Sequence, residues 1–248
     1  MSVQSVERAF ALLGCLAGGP AGVSELSARV GLPKSTVSRL LATLEALGAV
    51  EQLAPGGAYQ IGDAVLALGR AASHTADLVV ASRPHLIELA LLTGEATGVS
   101  VLDGSEVHYL DQVASDHAVQ VRDWTGERVA AHVVSSGQVL LAALPQERLD
   151  RFLARPLARF TERSITDADE LRARLASVRA DGYAWVRGEF SDDIDSVAAP
   201  VRGRMGRVVA ALHVHGPSYR FPAAGSTDAV VAQLRRTASR LSQRLAGY

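Results

Sequence analysis

The sequence predicts an α+β protein in two parts: a small helical module followed by a larger domain with a central antiparallel sheet. The chain has 248 residues, nearly half of them hydrophobic, which is enough for two domains of ordinary size. Before residue 62, three short helical patterns and a glycine-rich hairpin follow one another. Beyond residue 81, strand and helix patterns come in the mixed order that is typical of α+β domains.

The first helix is predicted from an apolar repeat with spacings of four, three and four, formed by Val6, Phe10, Leu13 and Ala17. A short second helix ends at Gly31. The third helix has a continuous apolar stripe, with polar residues opposite it. The stripe consists of Val37, Leu40, Leu41, Leu44 and Leu47. Two short strands, over 50–53 and 58–61, flank a proline–glycine turn and complete the pattern.

Helix, turn, helix and hairpin in this order are typical of a winged helix-turn-helix, which places its recognition helix in the major groove of DNA. The candidate DNA contacts are Arg8, Lys34, Ser35, Thr36, Ser38, Arg39 and Tyr59. Arg39 is the best candidate for reading a base, because its guanidinium fork matches O6 and N7 of guanine. Tyr59 could equally pack the hairpin onto the third helix. The alternative for the polar side of this helix is a solvated face without function.

Charge is balanced within this module. Through residue 62, four basic residues (Arg8, Arg29, Lys34 and Arg39) stand against four glutamates. Sequence-independent affinity grows with the number of phosphates neutralised, so we do not expect strong non-specific binding by the module. Affinity would have to come from the placement of a few groups and from pairing modules in an oligomer.

The chain has one cysteine, Cys15, which excludes an internal disulfide and fits a reducing cytoplasm. No apolar run approaches the roughly 20 residues that a membrane helix needs. The first ten residues lack the basic and apolar segments of a secretory signal. We therefore expect a cytoplasmic protein.

The predicted domains are a winged helix-turn-helix over 1–62, a linker helix over 63–80 that also helps to pair subunits, and a larger domain over 81–248. Ser82-Arg83-Pro84 is expected to begin a helix that ends near Gly94. Further helices are predicted from Ser135 onwards, over 167–180 and at the C-terminus, and Thr166 and Asp169 resemble a capping box. The predicted strands cover 97–102, 106–113, 118–124, 182–187, 196–202 and 207–215.

The chain resembles the IclR family of bacterial transcriptional regulators over nearly its whole length. In front, the resemblance rests on SVERAFALLGCLA, LPKSTVSRLLATLEALGAVE and GGAYQIG. Behind, it rests on HVVSSGQVLLA, DGYAWVRGEF and SVAAPVRGRMGRVVAALHVHGP. It implies a C-terminal effector-binding domain of GAF-like fold, a dimer or a dimer of dimers, and control of a nearby operon, more commonly as a repressor. It also implies a small-molecule effector, in many members a carboxylic acid.

Two departures from the family pattern concern the effector. Gln138 stands where the family usually has lysine, and Ala130-Ala131-His132 stands where it often has Pro-Leu-His. The fold expected from the resemblance does not depend on either position. The identity of the effector cannot be transferred from relatives on this basis.

A candidate effector pocket is predicted from two features. Ser135, Ser136 and Gly137 precede an apolar helix, whose free backbone N–H groups and dipole can bind an anion. His213 and His215 are two residues apart on a predicted strand and therefore lie on one face. The resemblance implies ligand contacts at Ser135, Ser136, Ser196, His213 and His215. The full predicted set is Trp124, His132, Ser135, Ser136, Gly137, Val186, Glu189, Ser196, His213 and His215, with Trp124 and Val186 as apolar walls.

Other interpretations remain open at this point. Ser135 could be a simple helix cap, and the two histidines could be solvent-facing or satisfied core groups. His132, His213 and His215 could bind a metal in a sensor or an enzyme, although no firm ligand spacing supports this. No nucleophile motif or placed carboxylate pair indicates an enzyme, so we predict a non-enzymatic protein without a cofactor. A DNA-binding architectural protein is the remaining alternative.

Overall fold

The structure is a computed structural model that describes residues 3–72 and 75–246. It divides into two compact units, Met1–His74 and Thr75–Tyr248. Each has its own hydrophobic core. Among the described residues, no helix combines the length and the apolar character needed to cross a membrane.

The first unit contains four helices and a two-stranded antiparallel hairpin among its described residues. They are α1 (Gln4–Leu16), α2 (Val23–Val30), α3 (Lys34–Ala46), β1 (Val50–Gln52), β2 (Tyr59–Ile61) and α4 (Asp63–Ala72). Gly31 ends α2 in the left-handed conformation, which glycine adopts without strain. Leu26 of α2 and Leu41 of α3 lie in the core of this unit and are fully buried. This arrangement confirms the predicted winged helix-turn-helix.

The apolar repeat from which α1 was predicted does not form its buried face. Val6 and Phe10 are 52% and 70% exposed, whereas Leu12 and Leu16 are 0% and 3% exposed. The helix is apolar on two faces, so periodicity alone could not choose between them. The face that meets α2 and α3 is set by packing.

The second unit contains a six-stranded sheet and five α-helices among its described residues. Its helices are α5 (Thr75–Thr93), α6 (Ser135–Ala142), α7 (Gln146–Leu153), α8 (Ala168–Asp181) and α9 (Thr227–Ala246). Its strands are β3 (Ala96–Asp103), β4 (Glu106–Val113), β5 (Arg128–Ala130), β6 (Ala184–Arg187), β7 (Ile194–Arg202) and β8 (Val208–Pro217). Short 3₁₀ turns at Ala131–Val133 and Arg204–Gly206 precede α6 and β8.

The sheet has the order β5-β4-β3-β8-β7-β6, and every neighbouring pair is antiparallel. Helices α5 and α9 pack against one face, and α6 packs against the other, with α7 and α8 contributing to the same core as α6. Along β8, Leu212 and Val214 face the α5/α9 core, whereas Ala211 faces the α6 core. Because side chains alternate along a strand, His213 and His215 lie on the α6 side. The predicted α+β class with a central antiparallel sheet is confirmed.

The boundary expected at Ser82-Arg83-Pro84 is wrong, because α5 runs through Pro84 without ending. Residues 63–80, predicted as one linker helix, are shared between α4 and α5, and residues 73 and 74 lie outside the described part. An internal proline costs a helix about 3 kcal/mol. Burial of Leu78, Leu86 and Leu89 against the sheet, on both sides of Pro84, offsets this cost.

Two local predictions in the second unit were also wrong, and one strand was not predicted. The segment 118–124 is a loop, although it was predicted as a strand. The outer edge of β4 pairs instead with β5, which was not predicted. Helix α8 is capped by Asp167, whose carboxylate accepts from the N–H groups of Asp169 and Glu170, and not by a Thr166–Asp169 box.

Candidate functional sites

The first candidate site is the outer side of α3. Lys34, Ser35, Ser38 and Arg39 are exposed and Thr36 is half-buried, while Val37 and Leu41 on the other side are fully buried. Within the described residues, no hydrogen bond or ion pair engages the side chains of Lys34, Ser35, Ser38 or Arg39. These groups are therefore available to a partner molecule.

Arg8 and Tyr59, the other predicted DNA contacts, lie outside α3. Arg8 is on α1 and half-buried. Tyr59 is half-buried on β2 and packs against the core of the first unit. Its backbone N–H and carbonyl pair with those of Ala21 at 3.0 Å each, which ties the wing to the segment between α1 and α2. The sequence left two roles open for Tyr59, a DNA contact and packing of the hairpin. The structure shows packing contacts for Tyr59.

The second candidate site is a pocket between α6 and the sheet that opens to solvent; the space within it is about 450 Å³ when the solvent at its mouth is included. Seven of the ten predicted effector residues line it: Trp124, Ser135, Ser136, Val186, Ser196, His213 and His215. Six residues that were not predicted complete the wall: Tyr109, Val129, Val133, Val134, Phe190 and Ile194.

One end of the cavity is the first turn of α6. Ser135 and Ser136 are each 1% exposed, and the helix cap is Val134, which provides no side-chain hydrogen bond. Ser135 is therefore not a simple cap. The first N–H groups of any helix have no partner within it, and they carry the positive end of its dipole. This end of the cavity suits an anionic group.

The other polar feature is a pair of neighbouring imidazoles on β8, tilted relative to each other. The rings of His213 and His215 have centroids 5.5 Å apart and planes inclined by 32°. His213 is also edge-on to Tyr109, with centroids 5.2 Å apart. Within the described part of the chain, neither nitrogen of His213 has a hydrogen-bond partner, and neither does Nε2 of His215. Two residues that line the cavity thus carry three buried nitrogens with unused capacity for hydrogen bonding.

Burial sets the charge of these groups. Desolvation, followed by the nearby His215, lowers the pKa of His213 well below its usual value. Desolvation also lowers the pKa of His215 to about 4, although Asp123 acts in the opposite direction. Burial raises the pKa of Tyr109 to about 12, partly opposed by a hydrogen bond with Ser136. At neutral pH the cavity is therefore lined by neutral imidazoles and a neutral phenol, each able to donate or accept.

Close backbone packing makes room for the His213 ring. Gly98 on β3 pairs with His213 in the sheet, and a Cβ at Gly98 would lie 2.6 Å from Nε2 of that ring. The same Cβ would lie 2.9 Å from the carbonyl oxygen of Asp111 on β4. A glycine at position 98 is thus a condition for an imidazole at position 213.

Aromatic rings form the remaining wall. Trp124 and Phe190 have centroids 5.5 Å apart in an edge-on arrangement, and Tyr109 and Trp124 are 6.2 Å apart. Gln112 holds the loop of Trp124, since its Oε1 accepts from the Trp124 N–H at 3.2 Å. The guanidinium of Arg122 lies 3.9 Å from the centroid of the Trp124 ring. Such a wall favours a ligand with a flat apolar portion.

Three predicted effector residues lie outside the cavity. Gly137 packs against the 3₁₀ turn, and a Cβ there would lie 2.0 Å from the carbonyl oxygen of Ala131. His132 is 4% exposed, and its Nε2 is 2.8 Å from the carbonyl oxygen of Ala158. Glu189 is bound by Gln138 at 2.8 Å and by Arg174 at 3.2 Å. All three residues contact other parts of the protein and do not line the cavity.

The metal interpretation loses its support for the same reason. His132 is engaged with the segment around Ala158, while His213 and His215 face the cavity. Among the described residues, no group of three histidine, cysteine, aspartate or glutamate side chains could hold a metal ion.

The missed wall residues left only weak traces in the sequence. Tyr109 lies on the correctly predicted strand β4, but the side it faces depends on the irregular register between Val99 and Ser100 on β3. Phe190 is in an irregular segment directly after Glu189, where no periodicity applies. Its position is fixed through Glu189, whose carbonyl accepts a hydrogen bond from Ser164 at 2.7 Å.

Comparison with known proteins defines the class. The profile of the IclR helix-turn-helix domain matches residues 5–54, and that of the bacterial transcriptional regulator IclR C-terminal domain matches residues 70–243. The HTH-type transcriptional regulator Rv1719 of Mycobacterium tuberculosis is 36% identical over 88% of this chain and 84% of its own. The HTH-type transcriptional repressor AllR of Klebsiella pneumoniae is 33% identical over 98% of this chain and 90% of its own.

A solved structure agrees with these matches. An IclR homologue from Microbacterium hydrocarbonoxydans, crystallised with 4-hydroxybenzoate, superposes with a TM-score of 0.64 and 26% identity over 97% of this chain and 98% of that one. The fold, the helix-turn-helix and these relatives define a DNA-binding transcriptional regulator, not an enzyme. The chain belongs to the IclR family.

Proposed function

We propose that this regulator senses a small carboxylic acid in the cavity of its second unit and changes its affinity for an operator in response. The observation that carries the proposal is the meeting, in one cavity, of the α6 N-terminus with the unpartnered imidazoles of His213 and His215. The helix end would hold the carboxylate. The imidazoles would hold a second polar group or share the carboxylate.

The ligand class is supported by the walls and by the relatives. The aromatic wall around Trp124 and Phe190 suits an aromatic or branched acid. A structural relative was crystallised with 4-hydroxybenzoate, which has a carboxylate, a flat ring and a distal hydroxyl. We use that compound as the first probe.

In the proposed division of labour, residues 1–62 bind DNA, residues 63–80 link the units, and residues 81–248 bind the effector. The protein would act in the cytoplasm as a dimer or a dimer of dimers on a nearby operon. Repression is favoured because AllR, a relative over nearly the whole chain, is named as a repressor. The effector would act by binding two states of the regulator with different affinities, and so shift the population that binds the operator.

The sensing proposal is tested by calorimetric titration of the full-length protein with benzoate, 4-hydroxybenzoate and small aliphatic acids. A specific acid should bind the wild type, and H213A/H215A should lose at least tenfold in affinity. The variant H108A is the matched control, because His108 lies on β4 and outside the cavity. Normal binding by H213A/H215A would refute the proposed site. Failure of every acid to bind would favour a purely architectural second unit.

The DNA-contact proposal is tested separately. Upstream DNA from the gene's own locus supplies the operator for a fluorescence-polarisation assay. Arg39→Ala should weaken specific binding by about 1–3 kcal/mol if Arg39 contacts a guanine. Arg29→Ala is the control, because Arg29 lies on α2 and already pairs with Glu25 at 2.6 Å. Equal affinities for the wild type and R39A would exclude Arg39 as a base-reading residue.

A further inference from the structure

The near-neutral charge of the whole chain conceals a strong separation of charge. From residue 202 to the C-terminus there are eight arginines and one acidic residue, Asp228, a net charge of +7. Residues 1–201 contain 17 basic and 25 acidic residues, a net charge of −8. The positive charge is therefore concentrated in one short part of the second unit.

Six of these arginines lie on α9 or at the β7–β8 connection that packs against it, and are here called the basic face: Arg202, Arg204, Arg207, Arg236, Arg240 and Arg244. The backbone N–H of Arg202 donates to Oγ of Ser242 on α9 at 2.8 Å, and the 3₁₀ turn at Arg204–Gly206 packs against the same helix. All six arginines are exposed. The positive charge also affects His85 on α5. Desolvation lowers the pKa of His85, and the nearby Arg240 and Arg244 lower it further.

Half of the basic face has partners within the chain. Arg240 pairs with Glu88 at 2.7 Å, Arg202 donates to the carbonyl of Gly206 at 2.9 Å, and Arg236 donates to Gln233 at 2.6 Å. In the part of the chain that the structure describes, Arg204, Arg207 and Arg244 have neither an ion pair nor a hydrogen bond from their side chains. These three exposed guanidiniums are available to an external anion.

We propose that the basic face binds the phosphate backbone of double-stranded DNA as a second, sequence-independent contact of this regulator. The recognition module has no net charge of its own, so it gains little from the phosphates. A guanidinium binds a phosphate through a planar, bidentate fork, and arginine is the residue best suited to that contact. Arg236, Arg240 and Arg244 also recur every four residues along α9, a rise of about 6 Å per step, so the available Arg244 continues a line of positive charge along one side of the helix.

This inference goes beyond the proposed sensing function and is tested without an effector. The measurement is the affinity of the full-length protein for a random-sequence duplex as a function of salt concentration. Each neutralised phosphate contributes about 0.9 to the slope of log affinity against log salt. The variant R204Q/R207Q/R244Q should therefore reduce the magnitude of that slope by about 2–3 and weaken binding at low salt.

The matched control is R148Q/R151Q/R155Q, which removes the same charge from exposed arginines in and just after α7. Its slope should change by less than about 1, because only the general field of the protein is altered. Thermal melting verifies that both triple variants are folded. If the two variants have equal slopes, or if R204Q/R207Q/R244Q keeps the wild-type slope, the proposal is overturned. Binding of an acidic protein by the face, with the DNA slope unchanged, would overturn it as well.

Discussion

Acidification should destabilise the second unit through His213 and His215. Both are buried, and their pKa values lie below the usual 6.5, at about 4 for His215 and well below the usual value for His213. In the unfolded chain both should titrate near 6.5. Between these values the unfolded chain binds protons that the folded chain does not, so the free energy of unfolding falls as the pH falls. The loss begins near pH 6.5 and is complete once the folded pKa is passed.

The magnitude follows from the width of that window. Each unit of pKa difference corresponds to about 1.36 kcal/mol. Between pH 7 and pH 5 the unfolded form of His215 takes up its proton to a large extent and the folded form does not, so His215 should remove about 2 kcal/mol. His213, whose pKa is also lowered by burial, should add a loss of the same sign. The variant H213Q/H215Q cannot take up these protons and should lose this component of the pH dependence.

Urea denaturation followed by tryptophan fluorescence measures this loss in the relevant unit. The two tryptophans of the chain, Trp124 and Trp185, both lie in the second unit, so their emission reports its unfolding. The control H108Q changes a histidine on β4 outside the cavity and corrects for the loss of an imidazole as such. If the wild type and H213Q/H215Q lose equal stability between pH 7 and pH 5, the two imidazoles are not held neutral by burial.

Three further predictions concern stability. Gly98→Ala should cost about 1–3 kcal/mol, because its Cβ would lie 2.6 Å from the His213 ring; urea denaturation measures it. Asp167→Ala should cost about 1 kcal/mol through loss of the α8 cap, measured in the same way. Arg220→Gln should cost about 3–5 kcal/mol, because it leaves the Glu95 carboxylate, which is 7% exposed, without its partner at 2.6 Å; thermal melting detects it.

Each of these predictions has a matched comparison. The cost of G98A should shrink in the H213S background, and an unchanged cost would mean that the Asp111 carbonyl is the obstacle. Asp169→Ala should be nearly neutral, and a loss equal to that of D167A would favour the capping box over the Asp167 cap. The pair E95Q/R220Q should be more stable than R220Q alone. If it is less stable, an unpaired carboxylate is not the source of the cost.

The fold of the first unit could be predicted because the residues that determine it are close together in the sequence. Turn residues such as Gly31, the apolar stripe of α3 and the wing hairpin lie within one short segment, and their order specifies the module. What failed was the choice between two apolar faces of α1, since only tertiary packing decides that. The helix start expected at Ser82 failed similarly, because burial of α5 on the sheet outweighs the local effect of Pro84.

The cavity was predictable only in part, for a related reason. His213 and His215 could be paired from their spacing alone, and Ser135 and Ser136 from the helix start that follows Val134. Tyr109 and Phe190 could not, because the first depends on the register of two strands and the second on an irregular segment. Proximity in sequence predicts Gly137 and His132 in the site, whereas Gly137 packs against Ala131 and the ring of His132 contacts the carbonyl oxygen of Ala158.

The contact between Gly98 and His213 also bears on how the cavity can change during evolution. A larger residue at position 98 is less strained after the imidazole at position 213 has been replaced by something smaller, which leaves the carbonyl oxygen of Asp111 as the remaining close contact. The order of the two substitutions therefore matters, and the reverse order passes through a strained intermediate. A lineage that acquires a new ligand at this end of the cavity would lose His213 first, and a later substitution at position 98 would then hinder its return.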